Sequence, residues 1–332
     1  MDKQKIKKIA TWIIVPLMAL IFILDIATVA LANKYCKNYE IKEEDFKSSQ
    51  GYDRIHFLNT ANSDAILIES NCHFALIDAG EGNDNPRRKT DYKGYEAEVI
   101  SYIKKHAVLN GEVYLDFVLG THYHYDHIGS FEALISDPEI KIGKAYFKKF
   151  NKNVTKEYET ESWKIDQTYQ AVISALEQKD VPVVSDLPNE SFVFGDFMIQ
   201  FYNTVTPESL NGKGENASSV GVKVTKNGKS AFLAADITAS SGLEDLLADD
   251  IGDIDLLKIG HHGYYGSSSR SFLKTLKPEI AIVTNQLGKI YPNVKWNLTM
   301  SAKVPVYATY DNNGIIANFD DSGEILLTNN IH

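Results

Sequence analysis

A layered α/β domain carried behind one membrane-spanning helix is the fold class predicted by this 332-residue sequence. Three observations predict it. A long apolar stretch follows a lysine-rich start. Short strand-like runs come first as a meander and then alternate with helix-like segments, the pattern of sheets covered by helices. Candidate site residues recur at or just past the ends of those runs, where the loops of such a domain converge on one crevice. The composition, 44% hydrophobic and 23% charged, allows a large core in one domain. A net charge of −10 makes a poor electrostatic match to a polyanion such as DNA unless the charges are segregated, which disfavours nucleic acid as a partner.

At the N-terminus Lys3, Lys5, Lys7 and Lys8 precede an apolar run from Ile9 to about Ala32, broken mainly by Asp25. The run is long enough to cross a bilayer with its lysines on the cytoplasmic side, which places the rest of the chain outside. Ala30-Leu31-Ala32 also resembles a small-residue cleavage site, so residues 1–32 read as a signal anchor or a cleaved signal peptide. The anchor is favoured, because the run exceeds the roughly 7–15 residues of a signal core. The chain is then a single-pass membrane protein with an extracytoplasmic domain, or a secreted one if the signal is cut. Residues 33–50 are polar and charged, a juxtamembrane linker, and 51–330 form the domain.

Arg54–Leu58, Ala65–Glu69 and Phe74–Ile77 are strand-like, separated by Asn, Ser and Asp turn chemistry. Residues 94–106 read as an amphipathic helix and Tyr114–Leu119 as a buried strand. A helical pattern around Ser162–Lys179 lies in a stretch, about 145–190, that reads as an insertion or cap. Strands resume at 192–202, at 218–225 and at 230–235, the last two about an Asn227-Gly228 hairpin signal. Helices near 241–249 and 269–276 then alternate with strands Asp255–Ile259 and Glu279–Thr284, and a hairpin, Ile315–Phe319 with Glu324–Thr328, closes the domain. The two cysteines, Cys36 and Cys72, match no zinc-knuckle or redox spacing, and either pair outside the cell or stay free.

Directly after the strand ending at Leu119, the segment Thr121-His122-Tyr123-His124-Tyr125-Asp126-His127 packs three histidines and a carboxylate together. Imidazole and carboxylate suit zinc, with manganese or iron as alternatives. Alternation on an extended segment lets His122 and His124 face one way, while Asp126 and His127, at the following helix start, reach a second ion. Asp78 ends a strand in IDAG, Asp236 ends AFLAAD, and His261-His262-Gly263 follow DLLKI.

With these pieces in this order the sequence resembles the metallo-β-lactamase superfamily, whose HxHxDH signature is present intact. The resemblance extends from about residue 52 to 328 and implies an αββα sandwich with two divalent metal ions at one edge. It implies that His122 and His124 hold one ion, that Asp126 and His127 hold the other, and that Asp236 bridges them. A histidine of the pair His261-His262 completes the second site, with His261 preferred as nearer the strand end. Asp126 and Asp236 are then the carboxylates at the chemistry. Asp78 either orients a ligand through hydrogen bonds or is a turn aspartate before Gly80.

No histidine lies between His127 and His261, where many family members supply a further ligand to the first metal. That region reads Glu215-Asn216-Ala217-Ser218-Ser219-Val220, similar to the Asn-and-Ser version in the extracellular domain of DNA-uptake competence proteins and in phosphorylcholine esterases of bacterial surfaces. Asn216 binds the metal weakly, binds a substrate oxygen, or simply starts the next strand. DAILIESNCHFALIDAGE, LDFVLGTHYHYDHIGS, FVFGDFMIQFYN and DLLKIGHHG have counterparts in the esterases, which carry a further histidine in place of Gly263. The resemblance implies a phosphodiesterase acting on a surface glycopolymer or head group. A DNA-uptake-related nuclease and a non-catalytic membrane-tethered binding module are the alternatives; a lactonase or β-lactamase is disfavoured by the missing histidine.

Choline recognition calls for aromatic faces around the ammonium. Tyr264 and Tyr265 follow the last metal motif and Tyr123 and Tyr125 lie inside the first, with ordinary packing the simpler role for each. The lysine-rich run from Lys141 to Lys156 either meets an anionic polymer or, as the simpler reading, is a solvated face.

Overall fold

The computed structural model describes residues 3–36, 39, 41, 53–87 and 93–329. Helix α1 (Lys3–Tyr35) carries the apolar stretch, and its segment Thr11–Tyr35, with mean hydropathy 2.6, is long and apolar enough to cross a membrane. Ala30-Leu31-Ala32 lies inside this helix. The last turn docks on the domain: Ala32 is buried, Cys36 joins a core cluster, and Lys295 Nζ donates to Asn33 Oδ1 at 2.8 Å. Beyond it the chain still touches the domain, where Tyr39 N–H donates to Val306 O at 3.1 Å. Most of the expected linker, 33–50, lies outside the described residues. Cys36 is buried, Cys72 is exposed, and both are free thiols. Full-length protein is expected to stay with membranes through alkaline carbonate extraction; a soluble fragment beginning near Asn33 would show instead that the small-residue site is cut.

In chain order the domain runs β1 (Arg54–Phe57), β2 (Ala65–Ser70), β3 (His73–Ala79), α2 (Glu96–His106), β4 (Val108–Leu109), β5 (Glu112–Leu115), β6 (Phe117–Leu119), α3 (Tyr125–Ile128), α4 (Phe131–Ser136), β7 (Ile140–Ile142) and β8 (Ala145–Tyr146). It continues with α5 (Glu157–Glu161), α6 (Ile165–Gln178), β9 (Val183–Val184), β10 (Phe192–Phe194), β11 (Phe197–Tyr202), β12 (Gly221–Lys226), β13 (Lys229–Leu233), α7 (Leu243–Ile251) and β14 (Leu256–Lys258). Last come α8 (Arg270–Leu276), β15 (Ile280–Val283), α9 (Pro292–Trp296), β16 (Val306–Ala308), β17 (Ile315–Phe319) and β18 (Ile325–Thr328).

Two sheets form the centre, in the orders β18-β17-β1-β2-β3-β6-β8-β9 and β10-β11-β12-β13-β14-β15-β16. Alternation along each strand sorts its side chains between layers. Ile66, Ile68 and Ile77 meet Phe201, Val222 and Leu233 of the other sheet, whereas Leu67, Leu76 and Val118 meet Val99 and Ile103 of α2, Leu134 of α4 and Val172 and Leu176 of α6. On the far side Phe232, Leu257 and Val283 are covered by Leu243 of α7, Phe272 of α8 and Val294 of α9. The result is an αββα sandwich, and both sheets are covered on both faces, which is why strands such as β2 and β14 read as near-continuous apolar runs. Strands β3 and β6 are parallel, as are β13, β14 and β15, so the loops that follow them leave at the C-terminal edges of the two sheets.

The expected strand Tyr114–Leu119 is two strands. Asp116 breaks it by accepting Phe74 N–H on Oδ2 at 2.9 Å, and β5 pairs in a small separate sheet, β4-β5-β7. The stretch 145–190 is not an added cap throughout: β8 and β9 are strands of the first sheet, and α6 belongs to its helical layer through Tyr169, Val172 and Leu176. The strand expected from residue 218 begins at Gly221, after a turn of 3₁₀ helix at Glu215–Ser218.

Candidate metal centre

Loops from both sheets bring together six of the residues singled out by the sequence, as two clusters. Ligand atoms of His122, His124 and Asp236 form one and those of Asp126, His127 and His262 the other, each set lying within 4.8 Å of one another. His122 Nε2 lies 3.2 Å from His124 Nδ1 and 3.6 Å from Asp236 Oδ2. His127 Nε2 lies 3.1 Å from His262 Nε2 and 3.2 Å from Asp236 Oδ1. Asp236 therefore reaches both clusters, one oxygen to each.

His261, preferred from the sequence, is in neither cluster; its Nε2 is 3.8 Å from Asp236 Oδ2. Both histidines after β14 sit in left-handed backbone, φ 51° and 49°, a conformation that L-residues adopt at a cost. This turn carries His262 inward, fully buried, and leaves the His261 side chain 29% exposed on the cavity wall. Nearness to the strand end is a poor guide where the chain reverses this sharply.

The outward-facing nitrogens decide which inward nitrogens hold lone pairs. Thr121 Oγ1 donates to Asp78 Oδ2 at 2.7 Å and so accepts from His122 Nδ1 at 3.2 Å. His127 Nδ1 donates to the same Asp78 oxygen at 2.7 Å. Thr284 Oγ1 donates to Asp64 Oδ1 at 2.6 Å and accepts from His262 Nδ1 at 3.1 Å. His124 Nε2 donates to Glu159 Oε1 at 3.1 Å. In its neutral, metal-binding form each of these imidazoles thus directs its N–H outward and an unprotonated nitrogen inward, toward Asp126 and Asp236. Asp236 Oδ1 is buried, and its near neighbours among the described residues are the inward nitrogens of His127 and His262, at 3.2 and 3.4 Å. Lone pairs and carboxylates gathered this closely repel one another unless a cation lies among them, and an imidazole-carboxylate donor set fits divalent ions of the zinc class. Asp78 makes the hydrogen bonds of an orienting residue, holding Thr121 and His127 together.

The same demand for positive charge appears in the ionisation of the site. Burial disfavours a charged His262, but Asp236 and Asp64 outweigh it and push its pKa up to about 9; His127 is raised in the same way by Asp236 and Asp78. Burial also opposes charge on Asp126, yet Arg87, with Nη1 3.5 Å from Oδ1, and His262 hold its carboxyl well below the usual range. A folded pKa above the ordinary 6.5 stabilises below that value and is lost as pH rises through the folded one. The metal-free protein is therefore expected to lose stability between about pH 6.5 and about 9. Metal binding, which needs neutral imidazole, should strengthen over the same interval. Thermal melts with and without chelator check both, and a metal-free melting temperature that rises with pH would contradict the assignment.

The supporting residues Asp64, Glu159, Lys258, Thr284 and Arg87 were not singled out in the sequence. One signal was available for Lys258: a lysine inside the apolar run DLLKI must find a partner when buried, and it pairs with Asp64. Lys148, read as solvated, is buried, with Nζ donating to Asn203 O at 3.0 Å and to Thr206 Oγ1 at 2.9 Å.

Above the clusters lies a cavity of about 760 Å³. His124, Asp126, Asp236 and His261 reach it from the metal side, and Arg87, Lys156, Lys213 and Lys289 bring four cations to its wall. Tyr158, Trp163, Tyr264, Tyr265 and Tyr310 supply aromatic faces, and Asn216 lines it with a buried Oδ1 that has no hydrogen-bond partner among the described residues. Tyr123 and Tyr125 are buried and do not line it; Tyr123 packs on Tyr169 with ring centroids 4.6 Å apart.

A family model described as "Metallo-beta-lactamase superfamily" matches residues 58–284. Among curated relatives, ComE operon protein 3 of Bacillus subtilis is 25% identical over 173 residues, 51% of this chain and 20% of the relative. Recombination protein 2 of Haemophilus influenzae is 29% identical over 84 residues, 25% of this chain and 10% of the relative. The chain thus corresponds to a fifth or less of each of those proteins. Among solved structures, the metallo-beta-lactamase fold protein YhfI from Bacillus subtilis is similar with TM-score 0.47 and 14% identity, over 77% of this chain and 95% of that one. A diphosphatase of the PhnP family is similar with TM-score 0.42 and 14% identity, over 80% of this chain and 87% of that one.

Proposed function

The chain belongs to the metallo-β-lactamase superfamily, and we propose that it is an extracytoplasmic, membrane-tethered phosphodiesterase that works with two divalent metal ions, zinc first among them. One observation carries the reading: the two His/Asp clusters share Asp236 at the floor of a cavity whose wall presents four cations. Divalent ions bound there supply Lewis-acid stabilisation of charge on phosphoryl oxygens and easier ionisation of water. The chain's own residues do the rest. His122 and His124 on one side and Asp126, His127 and His262 on the other hold the ions, and Asp236 is shared. Arg87 fixes Asp126 while its guanidinium, also bonded to Glu81 Oε2 at 2.6 Å, stays on the cavity wall. Burial holds the His261 pKa below its ordinary value, so a neutral imidazole faces the cavity near pH 7, placed to hydrogen-bond a substrate oxygen.

The four wall cations also bear on the substrate. They repel a quaternary ammonium and attract further negative charge, and the aromatic faces beside them suit planar rings. This observation favours, as a second reading, the nuclease related to DNA uptake, and it weakens the choline head group specifically.

The test is a screen of the detergent-solubilised full chain, loaded with zinc or manganese, on nitrophenyl-phosphocholine, bis-nitrophenyl phosphate and single-stranded DNA. Hydrolysis of the simple diester is expected, with DNA preferred over the choline ester if the cations set specificity. Inactivity on all three, with both metals present by elemental analysis, would sink the phosphodiesterase reading and favour a non-catalytic binding module.

A further inference from the structure

The first cluster consists of His122, His124 and Asp236, and the Glu215–Ser218 turn beside it closes on the carboxylate of Glu159. We infer that Glu159, from the segment overhanging the cavity, is a positioning residue for the first cation site, bracing His124. The inference rests on the two-cation reading of the clusters, and not on the identity of the substrate.

Glu159 is 2% exposed. Its Oε1 takes the His124 Nε2–H at 3.1 Å, which leaves Nδ1 as the nitrogen turned to His122. An anionic acceptor on one imidazole nitrogen fixes the ring and makes the other nitrogen a stronger ligand. The carboxylate is itself held: Glu215 N–H donates to both of its oxygens at 3.1 Å, and Lys156 N–H donates to Oε2 at 2.6 Å, capping α5.

The backbone around it is shaped for this approach. Gly214 has φ +99°, and a Cβ there would stand 3.2 Å from Glu159 Oε1, so the position calls for glycine twice over. Gly212 N–H and Gly214 N–H bond Asn153 O and Val154 O at 2.8 and 2.9 Å, with the Val154 side chain fully buried. The loop before Asn216 and the segment carrying Glu159 are thereby one unit. Lys156, Tyr158 and Trp163 of that unit line the cavity, which ties the order of the first cation site to the order of the cavity wall.

The test uses full chain in detergent, stripped by chelator and titrated with zinc alone against a chromophoric chelator. Wild type is expected to bind two zinc ions; fewer would defeat the two-cation reading before any variant is compared. In Glu159→Ala the affinity of one zinc should fall about 10- to 100-fold and that of the other should stay unchanged. Glu159→Gln keeps the volume and an acceptor oxygen without the charge, and should show a smaller loss at the same site. A purely structural role predicts a lower metal-free melting temperature with both zinc affinities intact in the folded protein, and that result overturns the inference. If the alanine variant does not fold, wild-type affinities in the glutamine variant overturn it equally.

Discussion

Replacing Asp236 by alanine is expected to release at least one of the two cations and to lower phosphodiester hydrolysis by at least about 10²–10³-fold, the loss typical of removing one electrostatic stabiliser from an active site. The geometry makes this carboxylate different from the others. Its two oxygens face different clusters, at 3.2 Å from His127 Nε2 and 3.6 Å from His122 Nε2, so its loss uncovers both. Asp236 is 1% exposed and also supports charge on His127 and His262, so metal content is compared only between preparations whose folding has been verified by thermal melts. Asp236→Asn keeps the volume and removes the charge, and should show nearly the same loss. Metal content by elemental analysis and initial rates on the same preparation decide the matter. A variant that keeps both ions and most of its rate would refute the shared-carboxylate arrangement.

Most residues of the two candidate clusters were legible because chemistry crowds them in the chain: His122, His124, Asp126 and His127 fall within six consecutive positions, and Asp236 stands at a strand end. Residues that act through hydrogen bonds left no such mark. Asp64 and Thr284 are separated by 220 positions and meet only because β2 follows Asp64 in one sheet and β15 precedes Thr284 in the other. Glu159 reads as one acid among several in KEYETES until the fold sets its carboxylate against His124. The choice between His261 and His262 turned on two left-handed residues, a backbone property that side-chain pattern does not carry. Buried strands of the αββα centre announced themselves as apolar runs, whereas α9 is five residues long and too short to show a helical period.

Lys258→Ala is expected to destabilise the domain by about 3–5 kcal/mol, the cost of breaking a buried ion pair from one side. Lys258 is fully buried on β14, with Nζ on the Asp64 carboxylate and on Ala235 O at 3.0 Å. Burial opposes charge on Asp64, but Lys258, followed by His262, holds its carboxyl well below the ordinary 3.8. A depressed acid stabilises above its ordinary pKa and loses that contribution as pH falls, so wild type should weaken in acid more steeply than the variant.

The double variant Asp64→Leu, Lys258→Met separates stability from function, because replacing both partners by apolar groups is often nearly neutral. It should recover most of the stability in denaturant melts. It should not recover the second cation site. Without Asp64 the Thr284 hydroxyl has lost the acceptor at 2.6 Å that fixes its proton, and it becomes free to donate to His262 Nδ1. That reverses the tautomer and places the imidazole N–H where the lone pair is needed, so zinc affinity at that site should stay about 10- to 100-fold low. If stability and zinc affinity recover together, Asp64 serves the fold alone.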